Sequence, residues 1–204
     1  MEIKEILLLR KEDKNSFLES FIFEPTHFDE KKLGKLIILG KIKNSLAKNS
    51  PLLNYFGAEM KRSYYSFLKK TPSFAFKKLS ERARDFLENF KKRKISIFNL
   101  DIFLGALLEK NFIFTGLGEI SFFIKRGKQI LNFSKKFSFF EPFKEFEKVE
   151  IQNGDFLFLS CPGLISEKKI KKYKNSLFSF LKKEKKFLKI VNPQETLLLL
   201  IFLI

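Results

Sequence analysis

The feature that most constrains this chain is the stretch from Ser96 to Ser134, where short apolar runs are cut at close spacing by turn chemistry. Glu109-Lys-Asn111, Gly116-Leu-Gly-Glu119 and Arg126-Gly-Lys128 are the interruptions, and such spacing predicts an antiparallel meander of about four strands. Phe112-Ile-Phe114 and Phe122-Phe-Ile124 are continuous rather than alternating. A strand that is apolar on both faces has to be covered on both, by helices or by a second sheet. The rest of the sequence must supply those layers.

Helices are the first candidates. Leu33, Leu36, Leu39, Ile42 and Leu46 recur at three- and four-residue steps, which predicts an amphipathic helix running roughly from Asp29 to Ala47. Asn49-Ser-Pro-Leu-Leu-Asn-Tyr-Phe-Gly57 then reads as a break. Thr71-Pro72 signals a second helix, with Thr as N-cap and Pro at the first helical position. Phe76, Leu79, Ala83, Phe86, Leu87 and Phe90 share one of its faces, and it should end near Lys92.

Further strands complete the layers. Ile6 to Leu9 and Phe17 to Phe23, parted by Lys11-Glu-Asp-Lys-Asn15, predict an opening hairpin. Lys135 to Lys148 carries five Phe among Lys and Glu with no clean period, and reads as a long surface connection whose aromatics tuck inward. Glu150-Ile-Gln-Asn-Gly-Asp155 is a turn feeding a strand from Phe156 to Ser160. Ser166 can cap a helical stretch carrying Ile170, Tyr173, Leu177 and Leu181, and a last strand follows Asn192-Pro193. The expected class is α+β, a layered α-β-β-α sandwich of two mainly antiparallel sheets flanked by helices, in a single domain over residues 1–204.

The formal charge of +17 suggests a polyanion partner, RNA or an anionic membrane surface. Residue choice weakens that suggestion. Only six of the 40 basic residues are Arg, and the aromatics are 28 Phe against four Tyr and no Trp. Nucleic-acid sites favour the Arg fork and Tyr or Trp stacking, whereas Lys and Phe are what an A/T-rich genome supplies by codon bias alone. A protein partner is favoured instead. Cys161 is the sole cysteine, so no internal disulfide forms. Met1 to Arg10 lacks the order of a signal peptide. The closing apolar run, residues 197–204, is shorter than the roughly 20 residues of a spanning helix. A cytoplasmic protein is expected, or the soluble part of a longer membrane-attached chain.

Three segments carry a family likeness. Phe112-Ile-Phe-Thr-Gly-Leu-Gly-Glu-Ile-Ser-Phe-Phe-Ile-Lys-Arg-Gly-Lys128 reads as strand, turn, strand and Gly-Lys hairpin. Gly154-Asp-Phe-Leu-Phe-Leu-Ser-Cys-Pro-Gly-Leu164 reads as turn, apolar strand and turn, and Pro193-Gln-Glu-Thr-Leu-Leu-Leu-Leu200 leads into the last strand. In this order and spacing they resemble the metal-dependent protein phosphatases, the PPM or type 2C serine/threonine family. Its matching segments carry Gly-Asp-Ser-Arg, Ser-Asp-Gly-Leu and Asp-Asn or Asp-Asp.

The resemblance implies a reaction in which carboxylates hold two divalent cations that activate water. Here the implied ligands are degenerate. Glu24-Pro25 stands for Asp-Gly, Cys161-Pro162-Gly163 for Ser-Asp-Gly, and Pro193-Gln194 for Asp-Asn; Glu119 replaces Asp and Ser121 replaces Arg. The resemblance thus implies a pseudophosphatase with no catalytic residue, metal or cofactor, its former metal positions being Glu24, Pro162, Pro193 and Gln194. Two alternatives stay open. One is a divergent serine/threonine phosphatase binding Mg or Mn through Glu24 with Glu119 or Asp155. The other is a basic polyanion-binding protein using the runs Lys91–Lys94, Lys168–Lys172 and Lys182–Lys186.

Other chemistry is thin. His27 is the only histidine and reads as a helix-start residue, Cys161 as an inert buried thiol, and Gly116-Leu-Gly118 as a tight turn without the Lys-Ser/Thr of a phosphate loop.

Overall fold

The computed structural model describes residues 2–8, 15–134, 137–161 and 197–203. They form two compact units, each built on one five-stranded sheet that is antiparallel throughout. The class is the expected α+β.

The larger unit comprises residues 15–118 and 136–151. Its strands are β2 (Phe17–Phe23), β3 (Lys35–Ile42), β4 (Leu100–Leu107), β5 (Asn111–Leu117) and β8 (Glu147–Glu150), hydrogen-bonded in the order β2-β3-β4-β5-β8. Its helices are a short α1 (Phe28–Lys31), α2 (Pro51–Tyr65) and α3 (Pro72–Lys92). The second unit comprises residues 1–14, 119–135 and 152–204. It holds β1 (Glu2–Leu8), β6 (Ser121–Arg126), β7 (Gln129–Asn132), β9 (Phe156–Cys161) and β10 (Leu197–Leu203), in the order β1-β10-β9-β6-β7.

Helix α3 forms where its signals place it. Thr71 Oγ1 accepts from the Phe74 N–H at 3.3 Å, Pro72 opens the helix, and Phe76, Leu79, Ala83, Phe86 and Phe90 are buried along one face. Each such large side chain contributes about 1.5–3 kcal/mol. The helix closes on Lys94 in the left-handed region, φ 61°, with the Lys94 N–H donating to the Lys91 carbonyl at 2.8 Å and the Ile95 N–H to the Phe90 carbonyl at 3.0 Å. This is a Schellman turn, in which Gly is the usual left-handed residue.

The helix expected from Asp29 to Ala47 is instead α1 followed by strand β3. Seven of the eight β3 residues are buried. A strand buried on both faces loses its alternation, and its apolar residues then fall by chance at helical steps. The break expected at residues 49–57 is mostly helix α2, because Pro51 initiates a helix as readily as it ends one. Gly57 sits inside α2 since a Cβ there would lie 2.9 Å from the Phe21 ring, so the missing side chain lets helix and sheet approach. Tyr64 and Tyr65 fasten the end of α2: the Tyr64 hydroxyl donates to the Leu33 carbonyl at 2.6 Å and that of Tyr65 to the Gly34 carbonyl at 2.8 Å.

Two strand pairings also depart from expectation. β1 and β2 do not form a hairpin; β1 pairs with β10 and β2 with β3. The meander is two hairpins in different sheets, β4-β5 and β6-β7, the chain changing sheets after Gly118. The connection expected over Lys135–Lys148 ends in edge strand β8, while Phe143 is buried and Phe146 packs edge-on to Phe76 at 5.6 Å. The last strand forms as expected and is hydrogen-bonded on both sides, to β1 and β9. The helix expected after Ser166 lies outside the described residues.

Candidate functional site

The β2–β3 connection holds Glu24, the carboxylate singled out by sequence. Phe23 pairs with Leu36, so Glu24 falls opposite Lys35, and its Oε1 lies 2.5 Å from the Lys35 ammonium with the carboxylate largely exposed. His27 is the N-cap of α1, the helix-start role expected for it. Beside it the Glu30 carboxylate accepts from the Thr26 N–H at 2.7 Å and the Thr26 hydroxyl at 2.9 Å. The Thr26 backbone bond foremost holds the Glu30 pKa below the usual carboxylate range.

At the Gly116-Leu-Gly118 turn, Gly118 has φ +93°. A Cβ there would strike the Leu100 carbonyl and stand 2.5 Å from Asp101 Oδ1. The turn is therefore tight, as its sequence suggests, and it closes over Asp101. Glu119 that follows is exposed, and Ser121 is buried opposite Ser160 in the β6-β9 pair.

Asp155 is 1% exposed and is gripped by Arg126. Arg126 Nε lies 3.0 Å from Oδ1 and Nη2 2.7 Å from Oδ2, while the Gln152 N–H donates to Oδ2 at 2.9 Å. Cys161 is buried at the end of β9, paired with Leu198. Pro162, Pro193, Gln194 and the Lys runs at 168–172 and 182–186 lie outside the described residues.

Sequence reasoning missed one charged cluster. Lys41 and Asp101 are direct cross-strand partners in β3 and β4, 1% and 0% exposed. The Lys43 ammonium reaches Asp101 Oδ2 at 2.9 Å. Reading 29–47 as a helix scattered Lys41 and Lys43 around a cylinder; in extended chain an i, i+2 pair lies on one side. The signal was there, two lysines flanking Ile42 inside an apolar run.

A divalent cation of the type implied by the resemblance needs several oxygen ligands with net negative charge. Three of the described carboxylates do not fit. Glu24, Asp101 and Asp155 each already hold a basic side chain of the chain itself. Among the described residues no three His, Cys, Asp or Glu side chains gather as a metal-ligand group.

No protein-family model and no curated protein matches the sequence. Solved structures do match. The serine/threonine phosphatase Stp1 from Staphylococcus aureus superposes with TM-score 0.66 at 11% identity, over 100% of this chain and 94% of that one. The PP2C phosphatase domain of SpoIIE from Bacillus subtilis, solved with a fragment of its regulatory domain, gives 0.61 at 13% identity; this chain is covered to 98% and spans 60% of that chain. The SiaA-PP2C domain of Pseudomonas aeruginosa gives 0.60 at 11%, over 99% and 85%. The chain thus has the fold of the PP2C, or PPM, protein phosphatase domains.

Proposed function

We propose that this chain is a single PP2C-type domain without catalytic activity, working in the cytoplasm by binding a protein partner or as the regulatory part of a longer chain. One observation carries the reading. Two of the three carboxylates open to metal-binding roles are occupied by the chain's own cations, Lys35 on Glu24 and Arg126 on Asp155. A divalent ion would have to displace them. At Asp155 that means breaking a two-pronged, charge-assisted pair with Arg126 around a carboxylate that is 1% exposed. The divergent-phosphatase alternative, with Mg or Mn held by Glu24 with Glu119 or Asp155, has to compete with those cations for Glu24 and for Asp155. Pro162, Pro193 and Gln194, which bring no charge to the former metal positions, support the same reading.

The test is hydrolysis of p-nitrophenyl phosphate in excess manganese or magnesium, with Glu24→Ala alongside. No metal-dependent turnover is expected from either protein. Turnover in the wild type that disappears in Glu24→Ala would overturn the reading and restore the enzyme.

A further inference from the structure

The Lys91–Lys94 run has a use the loss of catalysis does not absorb. Lys92, Arg93 and Lys94, at the end of α3, line a cavity of about 360 Å³ together with Asn44, Lys48 and Asn49 from the segment after β3. That is the size of a small-ligand site. Among the described residues its wall has four cations and no carboxylate. Among the described residues none of the four is held in an ion pair. The C-terminus of α3 carries only about half a negative charge, so one helix end neither requires nor neutralises four cations.

Two further observations point to a ligand. Asn49 is 3% exposed, and its Nδ2 donates to Ser45 Oγ at 2.9 Å while its Oδ1 has no partner. Turning the amide lets the Ser45 hydroxyl donate to Oδ1 and frees two N–H donors for an oxyanion. The cavity wall also includes two non-glycine residues with left-handed backbone, Asn44 at φ 50° and Lys94 at φ 61°. Gly would relax the second, where Lys94 stands instead.

We propose that this cavity binds a compact oligophosphate anion, with Lys48, Lys92, Arg93 and Lys94 as its cationic wall and the Asn49 amide as a buried donor. The shared chemistry is a chain of phosphates, free or carried on a nucleoside. An extended RNA strand fits less well, because the charge lines a small concavity instead of a long stripe.

Calorimetric titration of the full chain with sodium tripolyphosphate, at fixed ionic strength, tests this. One equivalent is expected to bind, at least 10-fold more weakly in Lys94→Gly and Lys92→Gln and unchanged in Lys128→Gln, which lies in the β6–β7 turn. Lys94→Gly suits the Schellman turn, so its Tm should be unchanged or about 2 °C higher, which separates lost binding from lost folding. ATP binding as well as tripolyphosphate, with adenosine silent, assigns the phosphate chain; adenosine binding alone refutes it. No heat, several equivalents, an equal loss in Lys128→Gln, or binding confined to an RNA oligonucleotide also overturns the proposal. Turnover is not read, so failure here leaves the proposed inactivity standing.

Discussion

Arg126 and Asp155 form a two-pronged ion pair, Nε to Oδ1 at 3.0 Å and Nη2 to Oδ2 at 2.7 Å, that ties the end of β6 to the turn before β9. The carboxylate is 1% exposed and the guanidinium 28%. Arg126→Ala leaves a buried charge with the Gln152 N–H as its remaining donor on that oxygen. Removal of one partner from a buried pair costs about 3–5 kcal/mol, and the exposure of Arg126 puts the expectation at the lower end. Urea unfolding monitored by circular dichroism measures it. A loss under about 1 kcal/mol would mean that water already compensates Asp155.

Alkaline pH should act through α2. Desolvation by burial foremost pushes the Tyr65 hydroxyl up to about 12 from its ordinary value near 10, and pushes Tyr64 upward as well. A folded pKa above the unfolded one means that the unfolded chain loses its proton first. The stability these hydroxyls contribute is therefore complete below pH 10 and falls as pH rises from 10 through 12. Tyr65→Phe removes hydrogen bonds to the Phe23 and Gly34 carbonyls, costing about 1 kcal/mol at pH 8, yet its stability should fall less steeply over that alkaline interval. Parallel curves for the two proteins would refute the assignment.

Helix α3 was legible because its capping, apolar stripe and exposed face agree, and its span of residues 72–92 follows from them. β3 was not, since burial of both faces erases the period that distinguishes a strand. Pairing was illegible for a different reason. Phe17–Phe23 is recognisable as a strand, but its choice of β3 over β1 is decided by the register of the whole sheet, and β1 finds its partner almost 200 residues away. At the candidate site the degenerate positions could be read from residue type alone. The pairing of Glu24 with Lys35 could not, because it depends on the β2-β3 register.

Gly118 marks where the chain leaves β5, and its φ of +93° is one that L side chains rarely adopt. An added methyl would meet the Leu100 carbonyl and the Asp101 carboxylate, both held by β4. Strain and overlap act together at Gly118→Ala, and a loss of about 3 kcal/mol or more is expected. Gly127→Ala is the control: its φ is +53° but nothing lies within 4 Å of the added carbon, so only the backbone cost of about 1 kcal/mol should appear. Equal melting temperatures for the two variants would show that contact with Asp101 contributes nothing.

That contact bears on the buried charges of the larger unit. Asp101 at 0% exposure faces Lys41 at 1% across the β3-β4 ladder and pairs with Lys43 at 2.9 Å. Asp101→Asn keeps the shape and removes the negative charge that Lys43 holds and that faces the buried Lys41. The expected loss is about 3 kcal/mol. Removing the facing cation by Lys41→Met in the same protein should return part of it, since a methionine stem fills the space of the lysine chain without a charge to desolvate. Thermal unfolding of the wild type, the single variant and the double variant decides this. Manganese added to the wild type should not raise its Tm, because Asp101 is committed to lysine; a concentration-dependent rise that Asp101→Asn abolishes would show instead that a metal displaces the lysines and that this cluster is a cation site.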